Sequence, residues 1–113
     1  MKDQNCIFCK IANKEINSNL ILETEDYAAF HDLNPQAPVH ALIIPKKHFS
    51  SLNHIEDTEL LGKLLIGARE VAKKLNIEDA YRLVINTGEG AGQTVFHIHV
   101  HILGGRPLKW PPG

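Results

Sequence analysis

No stretch of this 113-residue sequence approaches the roughly 18 consecutive apolar residues that a membrane span requires. The opening residues, MKDQNCIFCK, are polar and lack the apolar segment of a secretory leader. The expectation is a cytoplasmic protein with no membrane partner. No charge of one sign dominates either. With 12 Lys and Arg against 13 Asp and Glu, no strong field invites nucleic acid, and any bound phosphate must be held by local geometry. Cysteine is scarce: Cys6 and Cys9, spaced C-x-x-C, cannot make a disulfide framework, and in a reducing compartment they read as half of a metal site or a redox pair. Internal repeats, low-complexity tracts and linkers are missing, and the prolines gather at element ends, in NPQAP, at Pro45 and in RPLKWPPG. Residues 1–113 therefore read as a single domain, small enough that a second copy's surface often completes the burial.

The periodicities predict an α+β domain. Residues 6–14 read as a short helix with Ile7, Phe8 and Ile11 at helical spacing, and NLILETEDYAAFHDL as two strands about a tight turn at Glu25 and Asp26. VHALIIPKKH reads as a third strand, ended near Pro45. From Asp57 to Leu75, Leu60, Leu61, Leu64, Leu65, Ala68, Val71, Ala72 and Leu75 recur on one helix face, with Asp57 or Thr58 able to cap the start. YRLVIN and VFHIHVHIL read as the fourth and fifth strands, joined as a hairpin by TGEGAGQT. The result is an antiparallel sheet with one long helix packed on it.

In TVFHIHVHILGG, His97, His99 and His101 alternate with Ile98, Val100 and Ile102. On a strand this alternation puts imidazoles on one face and core residues on the other. Three chemistries suit such a row. A His-x-His pair supplies two corners of a transition-metal site, although Glu89 is the only carboxylate near. A neutral imidazole is also a nucleophile toward phosphorus or carbonyl carbon when its other nitrogen donates a hydrogen bond. Clustered histidines also make a pH switch. The preceding GEGAGQT loop favours the second, toward phosphorus: its glycines let backbone N–H groups approach an anion, and Gln93 and Thr94 add side-chain donors.

The His-φ-His-φ-His-φ-φ run, with φ apolar, resembles the signature of the histidine triad (HIT) superfamily. The segments FHDLNPQAPVHALIIPKKH, YRLVINTGEGAGQTVFHIHVHILGG and WPPG are similar, in the same order, to those of its Hint branch, the histidine triad nucleotide-binding proteins. The resemblance covers nearly the whole chain. It implies a HIT-like fold: a five-stranded antiparallel sheet with one long and one short helix, dimerising into a ten-stranded sheet. It further implies a homodimer that hydrolyses purine nucleoside 5′-phosphoramidates to the nucleoside monophosphate and an amine, through a nucleotidyl-histidine intermediate. By motif position His99 is then the nucleophile, with His101 and His40 around it and His97 the ambiguous fourth. The same resemblance implies nucleotide contacts from Asp32 (to the ribose hydroxyls), Leu33, Asn86, Gly92, Gln93, Thr94, His99 and His101. Phe8, Ile11, Phe30 and Leu42 are candidates for the base pocket. Trp110, in the tail 104–113, would lie near the partner subunit's active site.

No cofactor is implied for catalysis, but relatives with the N-terminal C-x-x-C bind structural zinc. The corresponding ligands here are Cys6, Cys9, His48 and His97. Two other readings stay open: a nucleotide-binding or regulatory module with incidental hydrolysis, and a zinc-dependent hydrolase. The amine, the adenine or guanine preference and protein partners are not written in the sequence.

Overall fold

The computed structural model describes residues 5–113. Helix α1 spans Ile7–Ala12, strand β1 Leu20–Glu23, β2 Tyr27–His31, β3 Val39–Pro45, helix α2 Thr58–Lys74, β4 Tyr81–Val84 and β5 Val100–Gly104. The strands form one antiparallel sheet in the order β1-β2-β3-β5-β4. The turn at Glu25 and Asp26 is built by Thr24, whose hydroxyl accepts the backbone N–H groups of Asp26 and Tyr27.

Period-2 alternation divides the side chains between two cores. Tyr27, Ala29, Ala41, Ile43, Val100 and Ile102 face α2 and pack on its Leu64, Ala68, Val71 and Ala72. Ala28, Phe30, Leu42 and Ile44 face the other way, against Phe8, Cys9 and Ala12 of α1. Both faces of β2 and β3 are thus covered, which explains their nearly unbroken apolar sequence. Gly67 lets α2 lie close to the sheet: a Cβ there would stand 2.6 Å from Ile43 Cδ1 and 2.8 Å from Tyr27 Cζ.

The long helix starts as its sequence suggests. Asp57 is the N-cap, its carboxylate accepting the Leu60 N–H at 3.0 Å. The short helix begins one residue after Cys6, whose Sγ caps it by accepting the Cys9 N–H at 3.3 Å. The fifth strand departs from expectation, because regular pairing begins only at Val100 rather than at Val95. Strand β4 stops at Val84, opposite His101, and the preceding segment is pinned instead to neighbouring loops. There Gln93 Nε2–H donates to Val95 O and Ile98 N–H to Phe49 O. One 3₁₀ turn, Leu52–His54, lies between β3 and α2, and another, Glu89–Ala91, lies inside the β4–β5 loop.

Candidate active site and metal centre

On the α1 side of the sheet lies a cleft of about 530 Å³. Its walls include Phe8, Ile11, Phe30 and Leu42, the four apolar residues singled out for a base pocket, together with Ile7, Ile16, Leu33 and Val95. Its polar side carries Asp32, His40, Thr94, His99 and His101. The register explains this grouping: His40 pairs with Leu103 and Leu42 with His101, so all four side chains share one face.

Hydrogen bonds to groups of fixed character settle the tautomers. His99 Nδ1 lies 2.8 Å from the His97 carbonyl, which can only accept. Nδ1 therefore carries the proton and Nε2 the lone pair. His40 Nδ1 accepts the Gln36 backbone N–H at 3.0 Å, which places the His40 proton on Nε2. That proton is donated to His101 Nδ1 at 2.9 Å, leaving His101 with an N–H at Nε2. Two neutral rings, His40 and His101, are thus joined by a hydrogen bond, with the third, His99, packed edge-on against His101 and its Nε2 lone pair beside their outward N–H donor.

Electrostatics keeps them neutral. Burial pushes the His99, His40 and His101 imidazoles below the ordinary range, His101 down to about 4 with the help of His99 and His40, while Asp32 acts in the opposite sense on all three. Phe8 sets the floor, its ring edge-on to His99 at 5.0 Å between centroids. Asp32 is itself fixed: one oxygen accepts the Asn34 N–H at 2.8 Å and the other lies 3.4 Å from His40 Nε2.

The glycine-rich loop behaves differently from expectation. The N–H groups of Ala91, Gly92 and Gln93 are spent on Gly88 O and Glu89 O within the loop, so they do not face an anion. The Gln93 carboxamide is almost fully buried, donating to Ser50 O and Val95 O and accepting from Gly88 N–H. Gly92, left-handed at φ 100°, and Thr94 do line the cleft. Asn86 lies behind Gly92, its carboxamide 3.7 Å from where a Cβ would be. Trp110 is not in the cleft: its ring is 80% exposed and lies 5.9 Å from the Arg82 guanidinium on β4.

His97 belongs to a second centre. Its Nε2–H donates to Pro45 O at 2.8 Å, so Nδ1 bears the lone pair. Around that nitrogen stand Cys6 Sγ at 3.3 Å, Cys9 Sγ at 3.4 Å and His48 Nδ1 at 3.2 Å, and Cys9 Sγ lies 3.2 Å from His48 Nδ1. Bonds of about 2.3 Å from zinc to sulfur and 2.0–2.1 Å to nitrogen place tetrahedral ligand atoms roughly 3.3–3.8 Å apart. The four atoms therefore nearly outline such a tetrahedron already, and a histidine whose far nitrogen donates to a carbonyl is the usual outer support of a metal ligand. Asp32, His40 and His101 also lie together, but there the wiring opposes a metal. Coordination at His40 Nε2 would need a proton on Nδ1, where the Gln36 N–H already points. The contributions of the Gln36 N–H and the Pro45 and His97 carbonyls come from backbone atoms, and no residue type announced them.

The chain resembles known proteins over most of its length. The HIT domain profile matches residues 13–108. Over 112 residues the chain is 54% identical to an uncharacterised HIT-like protein of Synechocystis, covering 97% of this chain and 98% of that one. It is 50% identical over 117 residues to a 14 kDa zinc-binding protein of Zea mays, covering 100% and 91%. Among solved structures, a HIT family hydrolase from Legionella pneumophila superposes with a TM-score of 0.93 at 49% identity, covering 96% of this chain and 100% of that one. The histidine triad nucleotide-binding protein of Candida albicans superposes at 0.82 with 34% identity, covering 94% and 82%.

Proposed function

This chain belongs to the HIT domain family, and on that premise we propose that it is a nucleoside phosphoramidate hydrolase of the Hint branch, acting through a covalent intermediate on His99. The observation that carries the reading is the His99 ring: neutral, its Nδ1–H held by a carbonyl at 2.8 Å, and its Nε2 lone pair left for a cleft of nucleotide size.

The substrate is a purine nucleoside 5′-phosphoramidate, its base among Phe8, Ile11, Phe30, Leu42 and Leu33 and its ribose hydroxyls at Asp32. His99 Nε2 attacks phosphorus, forming an N–P bond as the bond from phosphorus to the amine breaks, and the amine leaves with a proton taken from solvent. The His101 Nε2–H and the Thr94 hydroxyl donate to the phosphoryl oxygens as charge gathers there, with Gly92 and Asn86 shaping that wall. Gln93 acts from behind, as a scaffold. Water then attacks phosphorus, breaks the bond to His99, and releases the nucleoside monophosphate and a proton. The sum is phosphoramidate plus water giving monophosphate plus amine.

Cys6, Cys9, His48 and His97 would hold zinc as a structural clamp; bound there, the metal joins α1 to the loops before β5. His97 is then a metal ligand and not an acid or base. Residues 1–113 act as one cytoplasmic domain, paired into a homodimer through β4, the last strand in the sheet order. The tail around Trp110, held on β4 by Arg82 Nη2–H donating to Lys109 O at 3.0 Å, would then lie near the partner subunit's site.

The test is turnover of adenosine 5′-phosphoramidate by wild type and His99→Ala, with acid-quenched samples weighed for an AMP adduct. The reading requires turnover and adduct in wild type and neither in the variant. AMP binding without turnover would make the protein a nucleotide-binding module, and an active His99→Ala would remove the covalent mechanism.

A further inference from the structure

We propose that Asp32, besides any contact with ribose, is the positioning residue that holds His40, and through it His101, in the tautomers used at the cleft. The inference rests on the phosphoramidase reading and deepens it by giving one carboxylate two separable duties.

The geometry is a short relay. Asp32 and Gln36 sit in the turn between β2 and β3, which the Asp32 N–H closes on His40 O at 2.9 Å. From one side the Gln36 N–H enters His40 Nδ1 at 3.0 Å. From the other, the Asp32 carboxylate stands 3.4 Å from His40 Nε2. A backbone N–H only donates, and the negative charge of the carboxylate favours a proton on the nearer nitrogen, so both favour one arrangement: lone pair on Nδ1, proton on Nε2. That proton is donated to His101 Nδ1 at 2.9 Å, with Asp32 Oδ2 beside it. His101 must then keep its own proton on Nε2, as a donor to a phosphoryl oxygen requires.

The carboxylate is not free to drift, because its Oδ1 is tied to the Asn34 N–H at 2.8 Å. Among the described residues lining the cleft it is the only acid. The relay resembles in its logic the buried acid that orients a catalytic histidine, where exchange for an amide keeps the shape but selects the wrong tautomer. An Asn at position 32 must offer its oxygen to the Asn34 N–H, so its NH₂ group would meet the His40 Nε2–H, donor against donor. His40 could escape only by moving its proton to Nδ1, which already receives the Gln36 N–H.

The experiment separates the two duties by removing the ribose hydroxyls from the substrate. Wild type and Asp32→Asn are assayed on adenosine 5′-phosphoramidate and on its 2′,3′-dideoxy counterpart, and the His40 tautomer is read by ¹⁵N NMR in both ligand-free proteins. We expect His40 with its proton on Nε2 in wild type, loss of that single tautomer in Asp32→Asn, and a fall in kcat of at least about tenfold on the dideoxy substrate with KM little changed. An unchanged His40 tautomer in Asp32→Asn overturns the proposal whatever the rates do. So does a kcat on the dideoxy substrate equal to that of wild type, which leaves Asp32 a ribose clamp alone. If wild type turns over neither substrate while the tautomer still shifts, the positioning role stands and the phosphoramidase reading fails.

Discussion

The backbone carbonyl of His97 receives the Nδ1–H of His99 at 2.8 Å, while the His97 ring turns its own Nδ1 toward Cys6, Cys9 and His48. One residue thus belongs to both centres, by its main chain to the cleft and by its side chain to the Cys₂His₂ cluster. Whatever fixes the ring also fixes the carbonyl that sets the tautomer of His99.

The first prediction follows from that sharing. Wild type should carry about one zinc per chain, since four N and S ligands complete a structural site. Cys9→Ser should lose most of it. The variant should also melt lower, by roughly 4–8 °C for each kcal/mol of binding energy withdrawn from the folded state. Turnover should fall by less than in His99→Ala, because the His97 carbonyl is still present. Metal analysis, melting and a rate assay on one preparation decide it: full zinc content in Cys9→Ser would remove Cys9 from the site.

Stability should depend on pH above the range where carboxylates titrate. Folded His101 stays neutral down to about 4 and folded His40 is held below its ordinary range, both chiefly by burial. In the unfolded chain each takes its proton near 6.5. Between those limits the unfolded state binds more protons, so stability is fully present above about 6.5 and is lost as pH falls toward 4. The limit is about 1.4 kcal/mol per pH unit for each histidine, and His101 contributes less because its ring meets solvent at the cleft. Urea midpoints at pH 7 and pH 5 test this, and equal midpoints would show that the rings are not held neutral by the fold.

The fold was legible where one side-chain period ran unbroken. The α2 stripe, apart from the half-exposed Leu65, and its Asp57 cap follow from local pattern, as do β2 and β3 from apolar runs bounded by turn residues. The start of β5 did not, because apolar alternation continues back to Val95 whereas pairing depends on where β4 ends, a tertiary fact. At the site, alternation brought out His97, His99 and His101 and spacing the Cys6–Cys9 pair, whereas His40, Asp32 and His48 came only through the family resemblance. The glycine loop misled: glycine permits a close approach but does not say where the N–H groups point, and here three of them close the loop on itself. The partners that fix the tautomers are main-chain atoms of Gln36, Pro45 and His97, which no composition reveals.

Two glycines of α2 should respond in opposite directions to alanine. At Gly62 nothing lies within 4 Å of an added Cβ, so the helix-propensity gain of about 0.8–1 kcal/mol appears as stabilisation. At Gly67 the methyl would press on Ile43 and Tyr27, both buried in a packed core. An overpacking cost of about 1–3 kcal/mol outweighs the same gain there. Denaturation midpoints of the two variants check this, and a shift in the same direction would refute the close docking of α2 on the sheet.

Gln93 distinguishes a scaffold from a ligand contact. Its carboxamide is 2% exposed and joins three backbone groups: Gly88 N–H, Ser50 O and Val95 O. Gln93→Ala removes the partner of three part-buried backbone groups, at a cost of about 1–3 kcal/mol for each that water cannot reach. The loss should appear as a lower denaturation midpoint, with the affinity for AMP at a temperature where the variant remains folded changed by no more than about threefold, under 0.7 kcal/mol. Had the amide touched the phosphate instead, the order would reverse, with a small change in midpoint and a large one in affinity. Gln93→Glu sharpens the contrast, since it would turn a carboxylate oxygen toward Ser50 O and Val95 O and should destabilise the fold more than alanine does. Calorimetric AMP titration beside urea unfolding of the three proteins separates the outcomes, and a folded, stable Gln93→Ala with AMP binding lost would return Gln93 to the nucleotide site.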